Sequence, residues 1–552
     1  MKNISPAKTD NNDTKKTIIL FVVFFLISEF FIIKPLRKKL ENKQRELREE
    51  ELLLQNEEKN KSNDVFGEDV IVENDYLKLK INTKGLKIDD VILKKYTINV
   101  DSDENVKLLN NKYFIDINWL SFTNGAVLPD NNSLWNSERD GNKTIFSYDN
   151  GDGIIFKIAL HLDDKYMLNV EQVVENNKYE KLYLKPVWQI TKIQDSSNTD
   201  LTGFNGGVGV FNNKLEEIKN KKVKNKNIEF EKFDWAGLTS KYWLTAIINE
   251  DKTNGTVNYV GKNNRVKLQY TTKNNLIIAK NSFAGTKNKI FIGAKDLDIL
   301  KEYRDNDGVA LFDRSIDFGL FYILSKPLNS ILNFFNKVTN NFGLAIILLT
   351  VIIKILLYPT IRNSFVSMAK MKKVQPELKR LQEKYKDDRV ALQQEVVKLY
   401  KKYELNPLSS IIPIFVQIPV FFSLYKVISV SLKMRQAPFF GYIKDLSIAD
   451  QTTIFNLFGL LNYNVSYKIG LLPCIMALTM YIQQKVTENM SGDGKVKMDK
   501  DAETANKMGK YLPLLFLFMF SGFPAGLLLY WTFNNIITLL QQLYISKKYM
   551  NK

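Results

Sequence analysis

The chain has 552 residues, 45% of them hydrophobic, and a net charge of +18, which leaves room for more than one domain. One cysteine, Cys474, and one histidine, His161, exclude an intramolecular disulfide framework and any Cys/His metal cluster, and we expect no cofactor. The positive charge is weak evidence for nucleic-acid binding, because basic residues also gather in the cytoplasmic loops of membrane proteins and no zinc-finger, helix-turn-helix or RNA-binding signature is present.

The first apolar run, Thr17 to Ile33, follows Lys15 and Lys16 and lacks a small-residue cleavage site. It continues into the charged stretch KPLRKKLENKQRELREEE. We therefore interpret residues 1–33 as a cytoplasmic N-terminus with an uncleaved anchor span, and residues 34–65 as a charged linker.

The region from about Phe66 to Ala294 alternates apolar and polar residues in the manner of β-strands. LKLKIN, FKIALHL and VKLQY are the clearest examples. This pattern predicts a large, mostly antiparallel β-sandwich, and we assign residues 66–312 to this domain. The glycine-rich FNGGVGVFNN, residues 204–213, lacks the spacing of a dinucleotide-binding loop and is predicted to be a turn.

From Asp313 the sequence changes to membrane-like segments. Residues up to Thr339 place Leu328, Ile331, Leu332 and Phe335 at helical spacing, which predicts an amphipathic helix on the membrane surface. Five spans follow at about 342–361, 411–432, 469–484, 511–523 and 527–545. The third and fourth of these are shorter than the ~17 residues that a ~30 Å hydrocarbon layer requires. The predicted fold class is thus a polytopic α-helical membrane protein with an anchor span and a large β domain.

The loop of residues 362–410 contains twelve Lys and Arg against six Asp and Glu, which predicts a cytoplasmic location. Alternation of the spans then places both termini in the cytoplasm and the β domain in the periplasm. The loop itself reads as a helical hairpin, about 365–385 and 389–403. Its basic surface is either a solvated face that meets anionic lipid heads or a docking surface for ribosomal RNA.

A lysine, Lys354, interrupts the second half of the apolar segment 346–363. An ionisable residue inside a span indicates a function, although a lysine stem also snorkels toward the membrane surface. Thr350, Lys354 and Tyr358 recur every four residues and should share a helix face. Polar residues in other spans include Gln417 and Gln483; each alone could join helices by hydrogen bonds, but together with a lysine they favour a wet cavity.

Four stretches carry a resemblance to a known family: SMAKMKKVQPELK, NPLSSIIPIFVQIPVFFSLY, RQAPFFGYIKDLS and FPAGLLLYWTFNNIITLLQQ. They resemble the marker segments of the YidC membrane protein insertases over roughly residues 313–546. The anchor and β domain resemble the Gram-negative branch by layout, which implies a periplasmic β-supersandwich. The chain ends in SKKYMNK, so the long basic ribosome-binding tail of some relatives is not expected.

The resemblance implies a hydrophilic groove in the membrane, closed to the periplasm, with a cation at the position of Lys354. Most relatives have arginine there, and a lysine lacks the planar fork for bidentate carboxylate binding. The family's substrate-contacting positions carry over to Thr350, Ile418, Phe421 and Trp531. Together with the residues above, the expected groove comprises Lys354, Thr350, Tyr358, Gln417, Ile418, Phe421, Gln483, Tyr530 and Trp531.

The expected function is insertion, folding and assembly of proteins in the bacterial inner membrane, alone or with the Sec translocon, without enzymatic chemistry. Expected partners are nascent membrane proteins, the Sec translocon, ribosome–nascent chain complexes and membrane lipids. A small-molecule or ion transporter is the main alternative, but the last five spans contain no paired carboxylates and the sequence has no inverted-repeat hydropathy. An envelope assembly protein acting through the β domain is a third interpretation, and it leaves Lys354 unexplained.

Overall fold

The computed structural model describes residues 67–193, 204–250, 255–262, 264–386, 388–405, 412–459, 469–491 and 511–550. The predicted anchor and linker, residues 1–33 and 34–65, lie outside these ranges. Residues Asp69–Lys192 and Asp200–Lys552 form one compact unit, in which a β region precedes a helical region.

The β region contains nineteen strands in the described ranges, all before residue 295. In chain order they are β1 Asp69–Glu73, β2 Leu77–Asn82, β3 Val91–Thr97, β4 Asn105–Leu109, β5 Tyr113–Ser121, β6 Asn136–Asp140, β7 Lys143–Asp149, β8 Ile154–Leu162, β9 Met167–Asn176, β10 Lys181–Ile193, β11 Gly206–Phe211, β12 Lys214–Lys219, β13 Asn227–Phe230, β14 Phe233–Thr239, β15 Trp243–Ile248, β16 Gly255–Lys262, β17 Arg265–Thr272, β18 Leu276–Ala279 and β19 Ser282–Ala294. The strands predicted from LKLKIN, FKIALHL and VKLQY are confirmed as β2 and as parts of β8 and β17.

The strands form three sheets, and the two larger ones face each other. The sheet orders are β1-β2-β3-β4, then β13-β16-β17-β10-β18 with β5 also paired to β10, and β12-β11-β14-β15-β19-β9-β8-β7-β6. Trp119 of β5 packs on Phe156 of β8 with ring centroids 5.0 Å apart. Tyr259 of β16 donates a hydrogen bond from its hydroxyl to the Val208 carbonyl of β11 at 3.1 Å. The β region is therefore a sandwich with a continuous apolar core between the large sheets.

The turn predicted for the glycine-rich stretch at residues 204–213 is confined to Asn212 and Asn213, so the prediction was wrong for the glycines themselves. Residues Gly206–Phe211 form β11, a fully buried strand between β12 and β14. A Cβ added to Gly207 would lie 2.5 Å from Tyr259 Cε1 of the facing sheet, and one on Gly209 would lie 2.7 Å from the Trp235 carbonyl oxygen. Gly207 thus serves close approach of the facing sheet and Gly209 close approach of the neighbouring strand β14, rather than chain reversal.

The helical region begins after the sandwich. The helices in chain order are α1 Asn220–Val223 within the sandwich, α2 Leu297–Asn306, α3 Tyr322–Thr339, α4 Phe342–Leu356, α5 Tyr358–Lys384, α6 Arg389–Lys402, α7 Ile412–Val430, α8 Leu471–Ser491, α9 Leu512–Phe520 and α10 Ala525–Met550. Short 3₁₀ turns occur at Phe312–Ser315, Leu432–Met434 and, kinked, at Ile454–Gly459. The predicted hairpin corresponds to α5 and α6, whose contact is a cluster of Val374, Leu378, Leu399 and Leu405.

The predicted span at 342–361 is broken. Helix α4 ends at Leu356, and α5 starts at Tyr358 and continues without interruption to Lys384. Pro359 explains the break, because its ring clashes with the preceding turn and it has no N–H for the helical ladder. Among the helices of the described ranges, none is by itself long and apolar enough to cross a membrane. Helices α4 and α5, which are bent by 64°, meet that requirement as a pair.

Helix α3 is the predicted amphipathic helix, but it begins at Tyr322 rather than at residue 313. Its inner face, with Leu328 and Leu332 buried, packs against α4 and α7. Ile323 and Phe334 on the outer face are 90% and 61% exposed. The helix therefore carries apolar side chains on two faces, one covered by the core and one uncovered.

Charged groups join the sandwich to the helical region. Arg435 donates from Nη2 to the Thr97 carbonyl at 2.5 Å, and Lys444 pairs with Asp101 at 2.7 Å. Lys295 lies deeper: it is 3% exposed, and its Nζ donates to Thr239 Oγ1 at 3.0 Å. Burial lowers the pKa of Lys295 to about 7, against a partial opposing effect of Asp317 and other nearby acids. The seam between the two regions thus contains charged groups, one of them buried.

Candidate functional site

Lys354 lies inside the helical region, near the end of α4. The start of that helix is capped by Asn341, whose side-chain oxygen accepts a hydrogen bond from the Leu344 N–H at 3.1 Å. Lys354 is 5% exposed, and its Nζ donates to Thr538 Oγ1 of α10 at 2.8 Å. The ammonium therefore points at a neighbouring helix, which differs from the geometry of a lysine that snorkels to the surface.

A small cavity of about 40 Å³ opens beside this ammonium, and we call it the Lys354 cavity. Helices α4, α5, α7 and α10 supply its walls. The residues that line it are Lys354, Leu357, Thr360, Ile361, Phe365, Val416, Gln417 and Thr538. This set holds one cation and no carboxylate, so the wall carries net positive charge in a largely apolar surrounding.

Gln417 links the Lys354 cavity to α10. It lines the cavity, and its Nε2 donates a hydrogen bond to the Tyr530 hydroxyl. Tyr530 is 1% exposed, so this contact satisfies a hydroxyl that would otherwise be buried without a partner. Gln417 and Tyr530 were both expected from the sequence, and the structure brings them together. Gln417 shares the cavity wall with Lys354, and Tyr530 contacts Gln417.

Two further expected residues form an aromatic cluster. Phe421 of α7 and Trp531 of α10 pack edge to face with centroids 4.9 Å apart, and Phe520 of α9 lies 5.3 Å from Trp531. Ile418, three residues before Phe421 on α7, is 43% exposed. The structure thus presents an apolar surface on α7 next to the aromatic cluster.

Of the nine expected residues, only Lys354 and Gln417 line the Lys354 cavity, and three of the others, Thr350, Tyr358 and Gln483, also lie outside the aromatic cluster and the contact with Gln417. Thr350 is fully buried and donates its hydroxyl to the Ile346 carbonyl of its own helix at 2.7 Å. Tyr358 follows the break at Leu357, so it no longer continues the face that carries Lys354. Gln483 belongs to α8 and is not among the residues that line the cavity. The four-residue spacing of Thr350, Lys354 and Tyr358 does not place all three on one helix face, because α4 ends before Tyr358.

Hydrogen bonds between α8 and α10 account for other polar residues of the spans. Asn535 donates from Nδ2 to Thr479 Oγ1 at 3.2 Å, and Gln542 donates from Nε2 to Thr487 Oγ1 at 2.7 Å. These pairs hold the two helices together, as the alternative interpretation of such residues requires.

Sequence reasoning missed Thr538, Thr360 and a second cation, Lys426 of α7. Thr538 lies four residues after Asn534 and seven after Trp531, so the helical repeat of polar residues in α10 was a usable signal. Lys426 pairs with Asp317 at 2.6 Å, just before α3. A local sequence pattern does not predict this ion pair, because its two residues are separated by more than a hundred positions.

Comparison with known proteins places the chain in a family. The model described as 60Kd inner membrane protein matches residues 334–552, and the YidC periplasmic domain matches residues 69–331. The membrane protein insertase YidC of Rickettsia bellii is 38% identical over 496 residues, 86% of this chain and 87% of the relative. The chain belongs to the YidC family.

Other members are similarly close. The membrane protein insertase YidC of Rickettsia africae is 39% identical over 86% of this chain and 87% of the relative. A solved structure, an active YidC insertase with the first transmembrane domain resolved, covers 86% of this chain and 91% of its own, at 16% identity and a TM-score of 0.35. The YidC family consists of membrane insertases rather than enzymes.

Proposed function

We propose that this chain, a membrane protein insertase of the bacterial inner membrane, admits the hydrophilic tails of nascent membrane proteins into the Lys354 cavity. The observation that carries the proposal is the buried ammonium on the wall of a cavity whose described lining contains no carboxylate. A buried cation without a counter-ion is unfavourable unless water or an incoming anion solvates it.

The Lys354 ammonium attracts acidic groups on the entering tail. A carboxylate ~4 Å away gains about 1 kcal/mol in bulk water and about 4 kcal/mol at an effective dielectric constant near 20, before desolvation is subtracted. An attraction of this size biases entry without trapping the tail. The cavity therefore lowers the cost of moving a short polar segment part of the way across the bilayer.

The hydrophobic segment that follows the tail leaves along the apolar surface of α7. Ile418 is exposed there, and Phe421 and Trp531 of the aromatic cluster lie beside it. Aromatic side chains offer large apolar area with few rotatable bonds, which suits contact with many different segments. Thr350, Tyr358 and Gln483 act in this proposal only by supporting the helices.

The proposed topology has an anchor span, five further spans, both termini in the cytoplasm and the sandwich in the periplasm as a supersandwich. The basic hairpin α5–α6 supports this orientation through the positive-inside rule. Proposed partners beyond nascent membrane proteins are the Sec translocon, the ribosome and anionic lipids, the latter two through the hairpin. Membership of the YidC family leaves the transporter alternative without support.

The test compares Lys354→Ala, Lys354→Glu and Lys354→Arg in cells depleted of the native protein, with one acidic-tailed and one neutral-tailed substrate. Because attraction depends on charge, we expect Arg to sustain translocation, and Ala and Glu to impair the acidic-tailed substrate most, by about tenfold or more. Translocation is measured by protease accessibility of the tail at matched protein levels. Equal activity of Lys354→Ala and the native chain on both substrates would refute the proposal.

A further inference from the structure

The ammonium of Lys354 is held by a side chain whose role the family resemblance does not supply. Thr538 is 7% exposed on α10, and its Oγ1 accepts from Lys354 Nζ at 2.8 Å. The same hydroxyl donates to the Asn534 carbonyl at 2.6 Å. A hydroxyl has one hydrogen and two lone pairs, so the bond to Asn534 leaves the lone pairs for the ammonium.

This arrangement fixes both the position and the remaining donors of Lys354. An ammonium has three N–H donors, and Thr538 accepts one of them. The other two are available to water or to a carboxylate that enters the Lys354 cavity. A lysine has a flexible four-carbon stem, so without the Thr538 acceptor its charge would move toward better-solvated positions.

We propose that Thr538 is a positioning residue for membrane protein insertion, which holds the Lys354 ammonium at the depth where it meets an acidic tail. This inference rests on the proposed function of the Lys354 cavity. It assigns Thr538 an effect that passes through Lys354 alone, rather than through packing of α10.

The chain offers a matched control on the same helix. Thr532 is 4% exposed, and its hydroxyl donates to the Leu528 carbonyl four residues earlier at 2.8 Å, as Thr538 does to Asn534. It is not among the residues that line the Lys354 cavity. Thr532→Val therefore measures what loss of a buried, back-bonded hydroxyl does to α10 without removing an acceptor from Lys354.

The experiment measures translocation of the acidic-tailed and neutral-tailed substrates by the full chain carrying Thr538→Val, Thr538→Ser or Thr532→Val. A hydrogen bond to a charged group is lost only in Thr538→Val, so we expect acidic-tail translocation to fall by about fivefold or more there and neutral-tail translocation to change little. Thr538→Ser and Thr532→Val should retain native activity. In a Lys354→Ala background, Thr538→Val should add no further loss, since the two residues act as one unit.

The outcomes separate the two proposals. If Lys354→Ala itself has no effect, the proposed function fails and this inference fails with it. If Lys354→Ala impairs translocation of the acidic-tailed substrate but Thr538→Val translocates it as well as the native chain does, or if Thr538→Val adds its full loss to that of Lys354→Ala, only the positioning role is overturned. Should Thr538→Val not accumulate in membranes, Thr538→Ala replaces it, and failure of both to accumulate while Ser accumulates would show a structural role instead.

Discussion

Lys295 and Lys354 are both buried cations, but their surroundings differ. Lys295 lies at the seam of the sandwich and helices, where Asp317, Glu217 and Lys426 contribute to its electrostatics. Burial also raises the pKa of Glu217, with a further contribution from Asp317. Lys354 instead faces a cavity whose described lining has no carboxylate. A buried lysine with acids nearby suits a structural seam, whereas a buried lysine without a carboxylate on the cavity wall suits attraction of an incoming acidic group.

Lys295 makes stability depend on pH. Its pKa falls from 10.5 to about 7 on folding, so between these values the unfolded chain binds more protons than the folded chain. The free energy of unfolding contributed by Lys295 therefore rises with pH across this window and is constant below pH 7. We expect the thermal midpoint of the native chain in detergent to rise, relative to that of Lys295→Met, between pH 7 and 9. A difference that does not change with pH would contradict the assignment.

At the scale of elements, the α5–α6 hairpin is a small folded unit with a basic surface. Leu378 and Leu399 are buried between the two helices, and the Tyr403 hydroxyl donates to Glu377 Oε1 at 2.6 Å. Lys372 at its base donates to the Asn489 carbonyl of α8 at 2.8 Å. The hairpin thus has its own apolar core and is tied to the bundle at one end.

Deletion of residues 372–402 should abolish insertion, because the nascent chain is then no longer captured at the mouth of the cavity. The deletion is compared with a variant in which the exposed Lys373, Lys379, Arg380 and Lys384 are changed to Gln, which keeps the apolar core of the hairpin. We expect the Gln variant to lose most co-sedimentation with ribosomes bearing a nascent chain while remaining folded. Full complementation by the deletion would show the basic surface to be a solvated face only.

At the scale of the whole molecule, the sandwich contacts the helical region through a shared apolar cluster and through polar groups, some of them exposed. The Lys444–Asp101 pair has both side chains more than half exposed, and pairs of this kind contribute little stability. The apolar contacts of Phe312 lie on the sandwich side, where it packs on Trp235 and Phe291 at 5.2 and 5.0 Å. The sandwich core therefore extends to residue 312, beyond its last strand.

This boundary gives a prediction about truncation. Deletion of residues 75–312 should leave most insertion activity, because the Lys354 cavity and the aromatic cluster lie beyond residue 340. The variant that lacks residues 75–294 should accumulate in the membrane to a lower level, since this deletion leaves Phe312 and α2 without their apolar partners. Membrane levels by immunoblot and complementation of depleted cells measure both. Loss of activity at normal membrane levels in the longer deletion would show that the sandwich takes part in insertion.

The sequence by itself determined the features that depend on neighbouring residues. Alternation of period two located β2, β8 and β17, because side chains of a strand point to opposite faces regardless of its partners. The charge of Lys354 within an apolar segment, and the motifs that resemble the YidC family, are likewise local. The helix break at Pro359 is also predictable from the sequence, since it follows from the backbone chemistry of proline.

The tertiary structure alone decided which distant residues meet. The role of Gly207 in β11 is visible only in the folded chain, because a Cβ there would meet Tyr259, a residue of the facing sheet that is far away in sequence. Thr538 became visible as the partner of Lys354 through a contact across 184 residues. Gln417 lines the cavity and Gln483 does not because helix packing decides which distant side chains share a wall, whereas Tyr358 lies outside it because α4 ends before that residue.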